Sequence, residues 1–229
     1  MKKSEHRDRA ALRAAGEQLA ERVLKLGVDG VGPWSSAEVV AKQARAIAED
    51  PEVAIQQLLV SHRRLVGATG FVTSVGGAMA LAVGLPADVV SFYAVAARLS
   101  AAIAHVRGYD VQTAAVRSLV LISLLGADGA ALLNDFGINT KSRSMLVALR
   151  DIPAEQLLEL NASVGYQLVA KFGQKGAVNL VKLVPFVGGG VGAGVNIVGI
   201  NTIARYAKQT FLPRPTSPFD SPGITVIDQ

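Results

Sequence analysis

A chain of 229 residues, half hydrophobic and 18% charged, can bury one large core and still leave apolar surface for a lipid or a partner. The absence of cysteine excludes disulfides and thiolate metal sites, and three scattered histidines, His6, His62 and His105, speak against a histidine metal cluster. The net charge of +5 comes without a basic stripe, and aromatics are only 5% of residues, so nucleic acid is not an expected partner.

The front of the chain is polar. MKKSEHRDRAALRAAGEQLAERV mixes both signs of charge and lacks an apolar h-region, so no secretory signal is expected. Leu12, Ala15, Leu19, Val23 and Leu26 recur at helical spacing and predict a helix over 5–26. GVDGVGP, residues 27–33, reads as a breaker. Ser35 with Glu38 three positions on forms a capping-box pattern for a second helix, running to Ala48. Pro51 suits the first position of a third, which carries Ile55, Leu58, Leu59 and His62.

Beyond Arg64 the character changes. Residues 65–87 carry no charge, and residues 65–138 hold only Asp88, Arg98, Arg107, Asp110, Arg117, Asp128 and Asp135. A helix is expected over 88–110, with Asp88 in its first turn and Gly108 at its end. An apolar helix should follow over 112–125, then a mixed segment to 139 and a short amphipathic helix to Arg150. Another should start at Asp151-Ile152-Pro153 and run to about Gln174. A second uncharged run, 183–204, lies inside a helix expected over 186–211. Residues 213–229, PRPTSPFDSPGITVIDQ, read as an extended or disordered proline-rich tail. Strand alternation is nearly absent. The expected fold is all-α, a single bundle of about eight to ten helices over 1–212, with polar amphipathic helices in 1–64 and an apolar glycine-rich core in 65–212.

The glycine-rich stretches admit three readings. Gly188-Gly189-Gly190-Val191-Gly192-Ala193 fits a loose dinucleotide pattern, but neither a preceding strand nor a following acidic residue supports it. Both uncharged runs are long enough to enter a membrane, although Pro185, Pro86 and the glycines interrupt them. The favoured reading is helix packing. Gly188 and Gly192 lie four apart, as do Gly190 and Gly194, and Gly70 and Gly77 belong to a similar small-residue face. Each interior glycine costs about 0.5–1 kcal/mol against alanine, which close helix contacts must offset. The two glycine-rich helices are therefore expected to pack centrally.

Asp88, Arg98, His105 and Tyr109 stand out on an apolar segment. As a ligand site they would line a lipid pocket, Arg98 gripping an anionic head group, with Asn196 from the glycine-rich helix. The plainer alternative makes Asp88 a helix-start residue, leaves Arg98 in an ion pair with Asp128 or Asp135, and uses Asn196 and Asn201 as interhelical glue. No nucleophile elbow, zinc-protease motif or cysteine nucleophile is present, so no catalytic residue and no cofactor is expected.

ATGFVTSVGGAMALAVGLPADV, a long helix ending AAIAHVRGYD, and the late PFVGGGVGAGVN together resemble the EcsC family of bacterial proteins over roughly residues 40–212. The resemblance implies a bacterial, intracellular or membrane-associated helical protein and carries over no catalytic residues. The expected function is non-enzymatic: binding of membrane lipid or a membrane protein at the cytoplasmic face of the inner membrane. The alternatives are a soluble interaction module, including a homodimer, and an enzyme acting on a lipid-like substrate.

Overall fold

Alanine, leucine and valine at helical spacing, punctuated by glycine and proline, give a chain that is helical over most of what the structure describes. The structure, a computed structural model, describes residues 2–67, 87–138, 144–179 and 188–214, with side-chain surroundings for 13–67, 89–138, 144–170 and 196–214. The described residues form nine α-helices and no strand: α1 (Lys2–Leu24), α2 (Ala37–Ile47), α3 (Pro51–Gly67), α4 (Ala87–Val106), α5 (Ala114–Leu125), α6 (Asp128–Asp135), α7 (Met145–Arg150), α8 (Ala154–Asn179) and α9 (Gly188–Thr210). The all-α bundle expected from the sequence is the fold.

The centre belongs to α4 and α5. Both are apolar almost all round, which requires neighbours on every side. Val90, Ala94, Val95, Ala96, Ala97, Leu99, Ala101, Ala102, Ile103 and Ala104 of α4 are buried, as are Val116, Leu119, Val120, Leu121 and Ile122 of α5. Helix α4 packs against α1, α2, α3, α5 and α9, so the polar front of the chain wraps an apolar interior. The α4 segment Val89–Val106 has a mean hydropathy of 1.6 and could span a membrane by length, but 78% of it is buried in the bundle. That is how a core helix looks.

Local boundaries shift in three places. The helical path of α1 continues as a π-helical turn, Lys25–Asp29, and the break comes at Gly30 (φ 76°) rather than at Gly27. Gly27 is there for proximity: a Cβ on it would stand 2.5 Å from the Ala94 carbonyl oxygen of α4. The cap of α2 is Ser36, not Ser35; its Oγ accepts from the Val39 N–H at 3.2 Å, and Glu38 instead pairs with Lys42 at 2.6 Å. Helix α4 ends at Val106, and Gly108 (φ 78°) turns the chain away before Tyr109.

Among the described glycines, the tightest approach is between α1 and α8. A Cβ on Gly165 would lie 1.8 Å from the Gly16 carbonyl oxygen, and one on Gly16 would lie 2.3 Å from the Tyr166 nitrogen. Absent side chains here do what the glycine-rich stretches were expected to do. Of those stretches, Gly70 and Gly77 lie outside the described residues. Gly188, Gly190, Gly192 and Gly194 lie in the first turns of α9, a helix rather than a phosphate loop, and their surroundings lie outside the described side chains. Further along, α9 packs on α3, α4 and α5.

Candidate functional site

Three groups of polar or exposed residues interrupt the apolar packing. The first is centred on Arg98, in the middle of α4 and only 5% exposed. Its Nε donates to Nε2 of His62 at 3.3 Å, and its guanidinium carbon lies 4.8 Å from the centre of the Trp34 ring. His62 sits on the apolar stripe of α3 beside Ile55 and Leu58 and is itself buried. Its Nδ1 lies 2.7 Å from the Leu58 carbonyl oxygen. A carbonyl only accepts, so Nδ1 carries the proton and Nε2 offers its lone pair to Arg98. Burial, reinforced by the Arg98 charge, pushes His62 down to about 4, and the ring is neutral at physiological pH. Burial also lowers Arg98, to about 10, which leaves it a cation. Trp34 reaches it from the loop between the π turn and α2. That loop is shaped by Gly30 and Gly32 at positive φ and by a Trp34 N–H bond to the Val31 carbonyl at 3.1 Å.

Among the described residues no ion pair joins Arg98 to Asp128 or Asp135, the alternative the sequence offered; the partners of Arg98 there come from α3 and the 30–36 loop. His105, seven positions on, lies along the same face of α4 and is half-buried. It adds to the forces that hold Glu38 below the usual carboxylate range, after the hydrogen bond and charge of Lys42. The face bearing Arg98 and His105 thus meets the chain from Trp34 to Glu38.

The second group is a clasp at the far end of α4. Arg107 is 9% exposed. It donates to Glu52 at the start of α3 through both Nε and Nη2, and through Nη1 to the carbonyls of Lys208 and Phe211 at 2.7 and 2.5 Å. Lys208 adds a second cation to Glu52 at 3.2 Å. Partial burial pushes Glu52 up, but the bonds from Arg107 and Lys208 outweigh it and hold the carboxyl low. Tyr109 belongs here and not beside His105. Its hydroxyl donates to the Leu212 carbonyl at 2.9 Å, its ring meets Phe211 edge-on, and Arg214 stacks on it at 4.1 Å. Asp88 occupies the first turn of α4, at the opposite end of that helix.

The third group is the end of the bundle where α3 finishes, α4 begins and the first half of α9 passes. Asn196 donates to the Val66 carbonyl at 3.4 Å, and Arg63 donates to Asn201 at 2.5 Å. Both asparagines therefore tie helices together. A Cβ on Gly67 would touch Ile197 at 3.9 Å, and one on Gly199 would stand 2.9 Å from the Phe92 ring. Phe92 meets Tyr93 edge-on at 5.5 Å. Val198 remains 66% exposed, and Arg64 is exposed at the end of α3.

The five residues proposed as a ligand pocket are thus spread over these three places, with Arg98 and His105 sharing one face. His62, Trp34, Arg107, Phe92 and Gly199 were not singled out from the sequence. The signal for His62 was its place on an apolar helical stripe. No local pattern marks Trp34 or Arg107, because their partners lie far along the chain.

The sequence model of the EcsC protein family matches residues 17–214. No curated protein and no solved structure matches the chain.

Proposed function

We propose, from the premise that this chain belongs to the EcsC protein family, that it is a non-enzymatic helical protein working against the cytoplasmic face of a bacterial membrane. It binds lipid or a membrane partner through the bundle end formed by α3, α4 and α9. One observation carries this reading. The uncharged runs 65–87 and 183–204 both attach at that end. The first leaves the described fold at Gly67, beside Ile197, and rejoins it five residues before Phe92, which packs on Gly199 of the second. The described core is filled by α4 and α5, and both uncharged runs are long and apolar by composition. Exposed Val198 extends the same apolar character, and Arg64 supplies a cation at the rim, where anionic head groups favour positive charge.

Flotation with phosphatidylcholine vesicles and with vesicles containing phosphatidylglycerol tests it. The protein should rise with the vesicles, more fully with the anionic ones, and Arg64→Glu should weaken that preference. Protein that stays at the bottom of both gradients defeats the reading.

A second reading is favoured by a different surface. Ile47 of α2 is 75% exposed, and Val53 and Val60 of α3 are also exposed. A soluble module docking through its N-terminal helices, or pairing with a second copy, would cover them. Light scattering after size exclusion separates the two: a dimer that Ile47→Glu dissociates supports the second, and a monomer that floats supports the first.

A further inference from the structure

Arg98 is a cation in the protein interior, and among the described residues no carboxylate pairs with it; its partners there are neutral His62 and the face of Trp34. Buried charges are ordinarily paired, because the lost hydration has to be replaced by a counter-charge or a full set of hydrogen bonds. Asp88 stands ten residues away on the same helix, about 15 Å along the axis. His62 is specialised for one task here. With Nδ1 bonded to the Leu58 carbonyl, its Nε2 holds the Arg98 Nε and so fixes the plane of the guanidinium. The two terminal nitrogens are the pair whose geometry matches the two oxygens of a carboxylate or phosphate.

We propose that Arg98, fixed by His62 and covered by Trp34, is the binding site for an oxyanion, a phosphate or carboxylate group that supplies the counter-charge absent among the described residues. Three features give the site its form. The Gly30 and Gly32 loop carries Trp34 over the guanidinium. Trp34 is half-buried with its ring against that guanidinium. The close packing of Gly27 against the Arg98 backbone, where a Cβ would stand 3.0 Å from its nitrogen, holds this part of α4 in place. The site lies on a different face of α4 from Phe92 and does not depend on membrane binding.

Trp34 is the single tryptophan of the chain, so its fluorescence reports on this site in the unmodified protein. Full-length protein is titrated at constant ionic strength with inorganic phosphate, acetate and dihexanoyl phosphatidic acid, with chloride as reference. A saturable change in Trp34 emission with at least one oxyanion, absent with chloride, is the expected result. Saturation with inorganic phosphate identifies a free anion as sufficient; saturation with the short-chain lipid alone identifies a lipid head group. Arg98→Met should weaken the apparent Kd at least tenfold. Should that variant fail to fold, the Arg98 Nε–H resonance of the wild-type protein must shift along the same titration. A response to none of the three anions overturns the proposal. So does a saturable response that persists in folded Arg98→Met, or one that leaves the Arg98 resonance unmoved.

Discussion

Two arginines nine residues apart, one in α4 and one just past its end, are buried to nearly the same extent, yet the protein treats them in opposite ways. Arg107 meets a carboxylate and two carbonyl oxygens, and it joins the start of α3 to the end of α9. Arg98 meets a neutral imidazole and an aromatic face. Burial alone therefore says little about what a buried charge is for. The partners decide: a cation whose hydrogen bonds are met from three directions is a fastener, whereas one with neutral partners has no counter-charge among them.

The difference can be broken by substitution. Arg107→Met should cost on the order of 3–4 kcal/mol in urea unfolding, because two carbonyls lose this donor at once and Glu52 keeps only Lys208. A cost under about 1 kcal/mol would mean that the clasp is ornamental and that the two sites are alike.

Acid should separate the sites by pH window. The unfolded chain protonates His62 near its ordinary 6.5, whereas the folded protein resists until about 4. The unfolded state then binds more protons, so stability falls as pH falls through that window, by about 3 kcal/mol in total. His62→Gln, which can still accept from Arg98 and donate to Leu58, should flatten this loss. Glu52 behaves differently. Its carboxyl is held below the ordinary 4.5, so its contribution is present above that value and is lost as pH falls through the lower folded value. An unfolding midpoint that does not change between pH 6.5 and 4 would remove His62 from this account.

The smallest effect is the most discriminating. Arg98→Met should change stability by less than about 1 kcal/mol in either direction in an anion-free buffer, since the loss of the bond to His62 is offset by relief of the cost of burying the charge. A loss as large as that of Arg107→Met would show that Arg98 is already fully compensated.

Much of the fold is legible in the chain. Pro51 opens α3, Gly108 turns the chain after α4, and the near absence of alternating apolar residues excludes a sheet. These are local matters: the steric freedom of glycine, the fixed φ of proline and the period of the apolar residues act within a few positions. The same local rules misplace the break at Gly27 and the cap at Ser35. Gly27 answers to α4, which is distant in sequence, and Ser36 presents its Oγ to the N–H of Val39. They also put Tyr109 on a helical face with His105, although the turn at Gly108 sends it to Phe211 and Leu212.

The sequence by itself determined that this protein is helical, that its middle is apolar, and that a few charged residues would have to be buried there. Only the tertiary structure decided that Gly16 meets Gly165, that Arg107 finds Glu52, and that Arg98 finds Trp34 and His62. The physical reason is range. Helix formation is settled by neighbours three and four positions away, whereas the choice of partner for a buried charge or a bare backbone depends on which helices pack together, and composition fits many such packings equally well.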